Sequence, residues 1–262
     1  MTILSELLLR QRILTLYGLA MLILAAVAFG LQAVDPRVID GIDVWMKPGK
    51  FFFSVAIFAL TAAWFFGYVR PERRNSRFMT RTVAILIASA TFELFWISWQ
   101  AAHGVGSHFN ISTPFNAVMF ALMGLFAIIL VGTTLPLALE IGRRPAPGLD
   151  RDFAFAVVTG LVLTFLLGGG MGAYMSSTGS HSVGAVGGHV PVFGWNRSGG
   201  DLRPAHFLGI HAQQILPVLA ALTFVLPPRF RRPALLSGIA TFVAVTVALF
   251  VQGVAGQALL PL

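Results

Sequence analysis

The residues most able to do chemistry lie close together between positions 199 and 217. The stretch leads into a long apolar run, and six of its side chains can donate, accept or carry charge: Asp201, Arg203, His206, His211, Gln213 and Gln214. A polar side chain that enters an apolar segment has to be satisfied inside the protein. The stretch therefore predicts a polar site near one end of a helix.

Helical geometry separates the two histidines of this stretch. His206 and His211 are five residues apart, which is about 140° around an ideal helix. His206 shares a face with Gln213, whereas His211 shares another face with Gln214. A regular helix therefore does not direct both imidazoles at one ion, and Pro217 is the residue expected to distort it.

A second polar group lies on an apolar segment at about 82–102. Glu93, Trp96, Gln100 and His103 have the spacing of one helix face. Glu93 is about 16 Å from the cytoplasmic end of that segment, near the middle of a bilayer. A carboxyl at this depth is predicted to be functional. The alternative is a protonated or hydrogen-bonded glutamate that only holds helices together.

Lys47 and Lys50 are the two lysines of the chain, and both precede or begin the apolar run at about 50–69. One interpretation is that they extend to lipid headgroups. The other is that they bind an anionic group of a substrate or cofactor.

The histidines favour a metal or haem site. Neutral imidazole is the commonest metal ligand, and histidines on different helices can bind haem iron. His103, His206 and His211 are the candidate ligands of haem or a divalent transition metal. Arg203, Lys47 and Lys50 are the candidates for pairing with haem propionates or an anionic substrate.

Other residues complete the predicted site. Glu93 and His211 are the candidate catalytic residues. The remaining polar residues assigned to the site are Gln100, His108, Asn110, Asp201, Gln213, Gln214 and Gln252. All of them are expected to lie between the bilayer midplane and the extracytoplasmic face. The site is therefore predicted to open to that face.

The composition excludes a soluble globular domain. Hydrophobic residues make up 56% of the 262 residues and charged residues 11%, against about 25% charged in an average chain. Long apolar runs predict transmembrane helices, and we count seven: roughly 13–34, 50–69, 82–102, 115–138, 153–175, 205–226 and 234–259. Residues 1–262 are therefore predicted to form a single all-α domain, a polytopic bundle of seven transmembrane helices.

The distribution of basic residues predicts an orientation. Thirteen of the 18 lie in alternate connecting segments, at 10–12, 70–81, 143–151 and 229–232. The positive-inside rule then assigns a cytoplasmic N-terminus and an extracytoplasmic C-terminus. These charges act as topology signals, so nucleic-acid binding is not expected despite a net charge of +8. The lack of cysteine excludes disulfides and thiolate metal sites.

Three motifs resemble those of a known group. They are Met46-Lys-Pro-Gly-Lys-Phe-Phe-Phe-Ser54, the pair Ser107-His-Phe-Asn110 and Thr113-Pro-Phe-Asn116, and the 199–217 stretch. On these the chain resembles an uncharacterised family of bacterial multi-pass inner-membrane proteins. The resemblance implies a seven-helix bundle in the bacterial inner membrane. It does not indicate what the protein does.

Three functions remain open from the sequence. The first is a haem- or metal-dependent membrane oxidoreductase acting on a small-molecule ligand at the outer face. The second is a transporter or proton-coupled permease for a small solute, with an anion among the candidates and Glu93 in its pathway. The third is a non-catalytic sensor or assembly partner whose histidines respond to acid.

Overall fold

The computed structural model describes residues 2–39, 41–190 and 193–259, and within them the chain is mostly helical. In chain order the helices are α1 Ile3–Arg10, α2 Arg12–Leu31, α3 Met46–Phe66, α4 Pro71–Arg74, α5 Arg77–Ala102, α6 Pro114–Gly132, α7 Thr134–Arg143, α8 Arg151–Leu163, a π-helical segment Thr164–Gly169, α9 Gly170–Thr178, α10 Arg203–Ile210, α11 Ala212–Thr223 and α12 Pro228–Val254. The predicted all-α class is confirmed.

Six helices of the described chain are long and apolar enough to cross a membrane. They are Arg12–Leu31, Met46–Phe66, Arg77–Ala102, Pro114–Arg143, Arg151–Thr178 and Pro228–Val254. The segment predicted at 205–226 differs, because it consists of α10 and α11, which meet at an angle of 60°. It brings the number of spans to seven only if this bent pair counts as one.

The bend lies at His211 rather than at Pro217. His211 ends α10 and precedes α11, whereas Pro217 is buried inside α11. The expectation that Pro217 distorts this segment is therefore wrong about the place of the distortion. Pro204 occupies the first turn of α10, where its missing N–H is harmless.

The chain divides into two compact units, each described by itself. The first comprises residues 1–140 and 144–147, and the second comprises 141–143 and 148–262. In the first unit α2 packs along α3, and α5 packs against α3 and α6. Small residues such as Ala56 and Ala90 let these helices approach, and Met21, Val55 and Leu94 fill the space between them.

The second unit is built from α8 to α12. Helix α8 packs against α11, the π-helical segment against α10, and α12 against both α10 and α11. Ala156, Ala220 and Leu235 form an apolar core here. Glycines at the crossings, such as Gly160 and Gly209, let the backbones come close.

Short hairpins order the predicted outer loops. Strand β1 Val38–Ile39 pairs antiparallel with β2 Ile42–Asp43 in the loop before α3. Strand β3 Ser182–Val183 pairs antiparallel with β4 Gly200–Asp201 in the long loop before α10. The long loop is therefore tied together near its two ends; positions 191 and 192 lie outside the described residues.

Candidate functional site

Lys47 and His108 form the most distinctive polar contact of the first unit. Lys47 lies in the first turn of α3, and its Nζ is 2.9 Å from Nδ1 of His108, in the loop between α5 and α6. When Lys47 is an ammonium, which can only donate, Nδ1 accepts and the ring proton is on Nε2. His108 Nδ1 also lies 3.2 Å from the hydroxyl of Ser107. The sequence assigned both residues to the site, without pairing them.

Aromatic rings surround the His108 imidazole. Phe51, Phe109 and Phe120 have ring centroids 5.7, 6.3 and 6.5 Å from it. Burial among these rings, together with the nearby Lys47 charge, lowers the pKa of His108 well below 6.5. The imidazole is therefore neutral at pH 7.

The loop backbone at this point is in a costly conformation. Phe109, next to His108, has a φ of 58°, which is rare for a residue with a bulky side chain. The Phe109 ring packs on Phe120, with centroids 5.4 Å apart. Backbone strain of this kind is concentrated at functional sites.

Glu93 is the third ionisable member of this group. It is 5% exposed on α5, and its charge interacts with that of Lys47. One carboxyl oxygen, Oε1, has no hydrogen-bond partner among the described residues. We call Lys47, Glu93 and His108 the lysine–histidine site. It combines an ammonium, a carboxyl and a neutral imidazole inside a mostly apolar helix bundle.

Amides support the loop that carries His108. Asn110 donates from Nδ2 to the Gly106 carbonyl at 2.9 Å. Gln100, buried on α5, lies 3.5 Å from both Gly106 O and Asn116 Oδ1, which are long contacts. Gln100 and Asn110 therefore position the loop and are not aimed at a ligand.

His103 does not share the buried face predicted for it. Trp96 and Gln100 are buried with Glu93, but His103 follows the end of α5 and is exposed. Its Nδ1 donates to Trp99 O at 2.8 Å, and its ring lies 4.7 Å from the Trp99 ring. The prediction of one face from Glu93 to His103 fails at its last member, because the helix ends at Ala102.

In the second unit, His206 is held by the glycine-rich part of the chain. Its Nδ1 is 2.9 Å from the carbonyl oxygen of Gly168, so Nδ1 carries the proton. A Cβ on Gly172 would lie 2.9 Å from Cε1 of the ring. A Cβ on Gly209 would lie 2.6 Å from Gly168 N, so here backbone packs on backbone.

The three-glycine run at 168–170 combines a local departure from α-helical geometry with close helix packing. The helix widens into a π-helical segment that ends at Gly169, and the glycines also allow close packing against α10. A π-helical turn changes the i→i−4 pattern of hydrogen bonds. The Gly168 carbonyl accepts from an imidazole of another helix.

His211 lies at the bend between α10 and α11. Its Nδ1 is 3.3 Å from Oε1 of Gln214, and its ring is 4.4 Å from the ring of Phe207. The i, i+3 pairing of His211 with Gln214 follows the predicted face. His211 is part-buried.

Asp201, at the end of the long loop, forms an ion pair with Arg203, the first residue of α10. Both carboxyl oxygens of Asp201 accept from the Arg203 guanidinium, and Oδ1 also accepts from Arg203 N at 2.9 Å. Burial opposes ionisation of Asp201, but the hydrogen bonds and charge of Arg203 outweigh it, and Asn196 N adds another, so the pKa of Asp201 is lowered. Arg203 also donates to Gly194 O at 2.7 Å. The pair joins the end of the loop to the first residue of α10.

Gln213 is fully buried. Among the glutamines of the described chain, it alone has a buried Oε1 and a buried Nε2 that both lack a hydrogen-bond partner. Its backbone N–H donates to the hydroxyl of Thr164 at 3.0 Å. Thr164 begins the π-helical segment, and no feature of the sequence marks it.

The other predicted site residues have local roles. Gln252 donates from Nε2 to Ala258 O at 2.9 Å, near the end of α12. Lys50 is part-buried on α3, one turn after Lys47.

The candidate ligands do not assemble into a metal centre. Residues 2–39, 41–190 and 193–259 contain no group of three or more histidine, aspartate or glutamate side chains placed to hold an ion. His103 belongs to the first unit, and His206 and His211 to the second.

The comparisons with known proteins supply no family. Neither the protein-family models, nor the curated proteins, nor the solved structures contain a match to this chain.

Proposed function

We propose that the chain is a multi-pass protein of the bacterial inner membrane that transports a small anion together with a proton. In this proposal the α10–α11 pair is the seventh span, the N-terminus is cytoplasmic, and the lysine–histidine site opens to the outside. The observation that carries the proposal is the contact between Lys47 and a neutral His108, with a partly unpaired Glu93 carboxyl within electrostatic reach.

Lys47 has capacity to bind an anion. Its ammonium has three N–H groups, and one of them is directed at His108 Nδ1. Glu93 and Lys47 are not in hydrogen-bond contact in the described chain, so the carboxylate does not occupy the remaining donors.

The position of Lys47 on its helix also favours an anion. The first turn of α3 contains no acidic residue, although the helix dipole places positive charge at that end. A lysine in this turn adds a second positive charge. An anion bound beside Lys47 would be attracted by both.

Charge balance couples the anion to a proton. In the proposed cycle, the empty site holds an ionised Lys47 and an ionised Glu93, whose charges sum to zero. A bound monovalent anion leaves a net negative charge, which is costly in an apolar bundle. A proton added to the Glu93 carboxylate restores neutrality. Each monovalent anion is therefore carried with one proton, and the loaded and empty sites are both uncharged.

The broken helix fits the same function. Many transporters contain discontinuous membrane helices. In this chain α10 and α11 meet at 60°, and a π-helical segment packs against α10. These features give the second unit an irregular backbone inside an otherwise apolar bundle.

The experiment uses liposomes that contain the purified protein, and it measures anion uptake together with proton flux reported by an enclosed pH-sensitive dye. Inward gradients of chloride, nitrate, methanesulfonate and phosphate are imposed in turn. At least one anion is expected to acidify the interior. For a monovalent anion, clamping the membrane potential with valinomycin and potassium should leave the rate unchanged, because no net charge moves.

Two variants and one control separate the role of Lys47 from that of Glu93. Lys47→Met is expected to abolish flux, since the ammonium is lost. Glu93→Gln is expected to keep anion movement but lose the proton that accompanies it. Glu72→Gln is the matched control, because Glu72 is exposed on α4 and undergoes the same chemical change. Flux of a panel anion that is identical in Lys47→Met and the parent protein would refute the proposal.

The haem- or metal-dependent oxidoreductase stays a prediction. In its favour, the bond from His206 Nδ1 to Gly168 O leaves Nε2 as a lone-pair donor, which is how a backbone carbonyl commonly orients a metal-binding histidine. An absorption spectrum with metal analysis tests it. A haem band that disappears in His206→Ala would favour this function over transport. The sensor or assembly role also stays a prediction.

A further inference from the structure

The side-chain amide of Gln213 is the most unusual polar group of the second unit. Gln213 is the second residue of α11 and is 0% exposed. Its Oε1 and Nε2 both lack a hydrogen-bond partner among the described residues. A buried amide of this kind carries the full cost of its desolvation unless another group satisfies it.

Neighbouring backbone fixes the position of Gln213. A Cβ on Gly160 of α8 would lie 3.0 Å from Gln213 Cα and 2.8 Å from Ala212 O, so α8 and α11 touch here without side chains between them. The backbone N–H of Gln213 donates to Thr164 Oγ1 at 3.0 Å. Thr164 Oγ1 in turn lies 3.4 Å from Ile210 O. The Thr164 hydroxyl is thus engaged by the backbone and does not satisfy the amide.

The irregular backbone on both sides is typical of a binding site. Thr164 begins the π-helical segment, and π-helical turns are frequent at functional sites. Gln213 follows the bend at His211 by two residues. The amide therefore lies where two helices of the same unit both depart from regular geometry.

The chemistry of the amide limits what it can bind. Its oxygen accepts, and its nitrogen donates two hydrogen bonds. A bare cation would satisfy only the oxygen, and a bare anion only the nitrogen. A group that carries both a donor and an acceptor, such as a primary carboxamide, satisfies both atoms at once.

We propose that Gln213 is the recognition residue of a second binding site, formed within the α8–α12 unit, for an uncharged primary carboxamide group. The ligand amide pairs with the Gln213 amide through two hydrogen bonds, N–H to O in each direction. The site is separate from the lysine–histidine site, and it does not depend on anion transport.

The test uses the purified full chain in detergent and two amide probes, of which only one has N–H donors. Acetamide has both donors and an acceptor, whereas N,N-dimethylacetamide has the acceptor alone. The midpoint temperature of unfolding is measured against the concentration of each. Acetamide is expected to raise the midpoint in a saturable way, because a ligand of the native state stabilises it. N,N-dimethylacetamide is expected to give no saturable rise.

Two variants locate the effect. Gln213→Met keeps the length of the side chain but removes the amide, and it is expected to abolish the saturable response to acetamide. Gln257→Met is the matched control, because Gln257 is exposed after α12 and should leave the response intact.

Two outcomes would overturn the proposal. One is an equal response of the parent protein to both probes, or no saturable response to either, as expected if water alone satisfies Gln213. The other is an acetamide response that persists in Gln213→Met. The comparison of the two probes in the parent protein needs no variant, so the proposal remains testable even if Gln213→Met does not fold.

Discussion

The imidazole of His206 lies directly against Gly172. A Cβ on Gly172 would be 2.9 Å from the ring carbon Cε1, while Nδ1 of the same ring bonds the Gly168 carbonyl at 2.9 Å. The ring is thus held between a glycine that leaves room for it and a carbonyl that orients it. The spacing of α9 and α10 depends on this fit, because any side chain at position 172 would displace the ring.

Gly172→Ala is expected to destabilise the protein by about 1–3 kcal/mol, the usual cost of an added methyl group in a packed interior. The free energy of unfolding is measured by denaturant titration in detergent. Gly170→Ala is the matched control: it has open space around its Cβ and should be neutral or stabilising by about 0.5–1 kcal/mol. If the two variants cost the same, the contact with His206 does not determine the packing. A double-mutant cycle with His206→Ala isolates the pairwise energy.

Stability is expected to fall below about pH 6.5 because of His108. The pKa of this imidazole is lowered in the folded protein, so the unfolded chain binds a proton first. The contribution of His108 is therefore complete above the unfolded pKa of about 6.5 and is lost as the pH falls toward the folded pKa. The slope from this one group is at most about 1.4 kcal/mol per pH unit.

Comparing unfolding midpoints at pH 7.5 and 5.0 measures this effect. The difference should shrink in His108→Asn and persist in His189→Asn, since His189 is exposed. An unchanged difference in His108→Asn would assign the acid sensitivity to another group.

Asp201→Asn is expected to loosen the long loop before α10. The substitution removes charge-assisted hydrogen bonds from Arg203 and Asn196, at a cost of about 1.5–3 kcal/mol near neutral pH. Because the folded pKa of Asp201 is lowered, its stabilisation is present above about pH 3.9 and is lost as the pH falls through the folded value. Hydrogen exchange at residues 193–203 should accelerate in the variant at pH 7. Unchanged protection there would mean that the ion pair does not order the loop.

The orientation in the membrane can be tested by labelling single introduced cysteines, because the chain itself contains no cysteine. We expect a cysteine at position 105, in the loop after α5, to react with a membrane-impermeant maleimide on intact spheroplasts. A cysteine at position 75, beside α4, should react only after permeabilisation. Both Val105 and Asn75 are exposed, so accessibility within the protein does not limit labelling. The opposite pattern would invert the topology.

Periodic apolar runs predicted most of the helical architecture. Six of the seven predicted segments are long apolar helices, because a run of this length and composition leaves the backbone no other way to satisfy its hydrogen bonds in lipid. The bend at His211 was not predictable in the same way. It arises where Gly209 and Ile210 pack on the backbone of Gly168, a contact between residues far apart in the sequence. Pro217, the local signal for distortion, lies within α11.

The candidate site was predictable in its residue types but not in its pairing. The sequence singled out Lys47 as one of two lysines, Glu93 as a carboxyl within an apolar segment, and His108 as a histidine on the predicted outer side. Their association depends on how the loop after α5 folds back towards α3, including a positive φ at Phe109 that no residue type signals. His103 was misplaced because helix periodicity was extended beyond the end of α5.

The π-helical segment has a consequence for how this chain tolerates insertions and deletions. A π-helical turn accommodates one more residue than an α-helical turn, so it rotates everything after it by about 100° relative to an uninterrupted helix. Gly172 follows Gly169, the end of that segment, by three residues, and this rotation directs it at His206. Removing one of the three glycines at 168–170 would restore the register of an uninterrupted α-helix. A residue other than Gly172 would then face α10. Chain length at this point, and not only residue identity, is therefore under structural constraint.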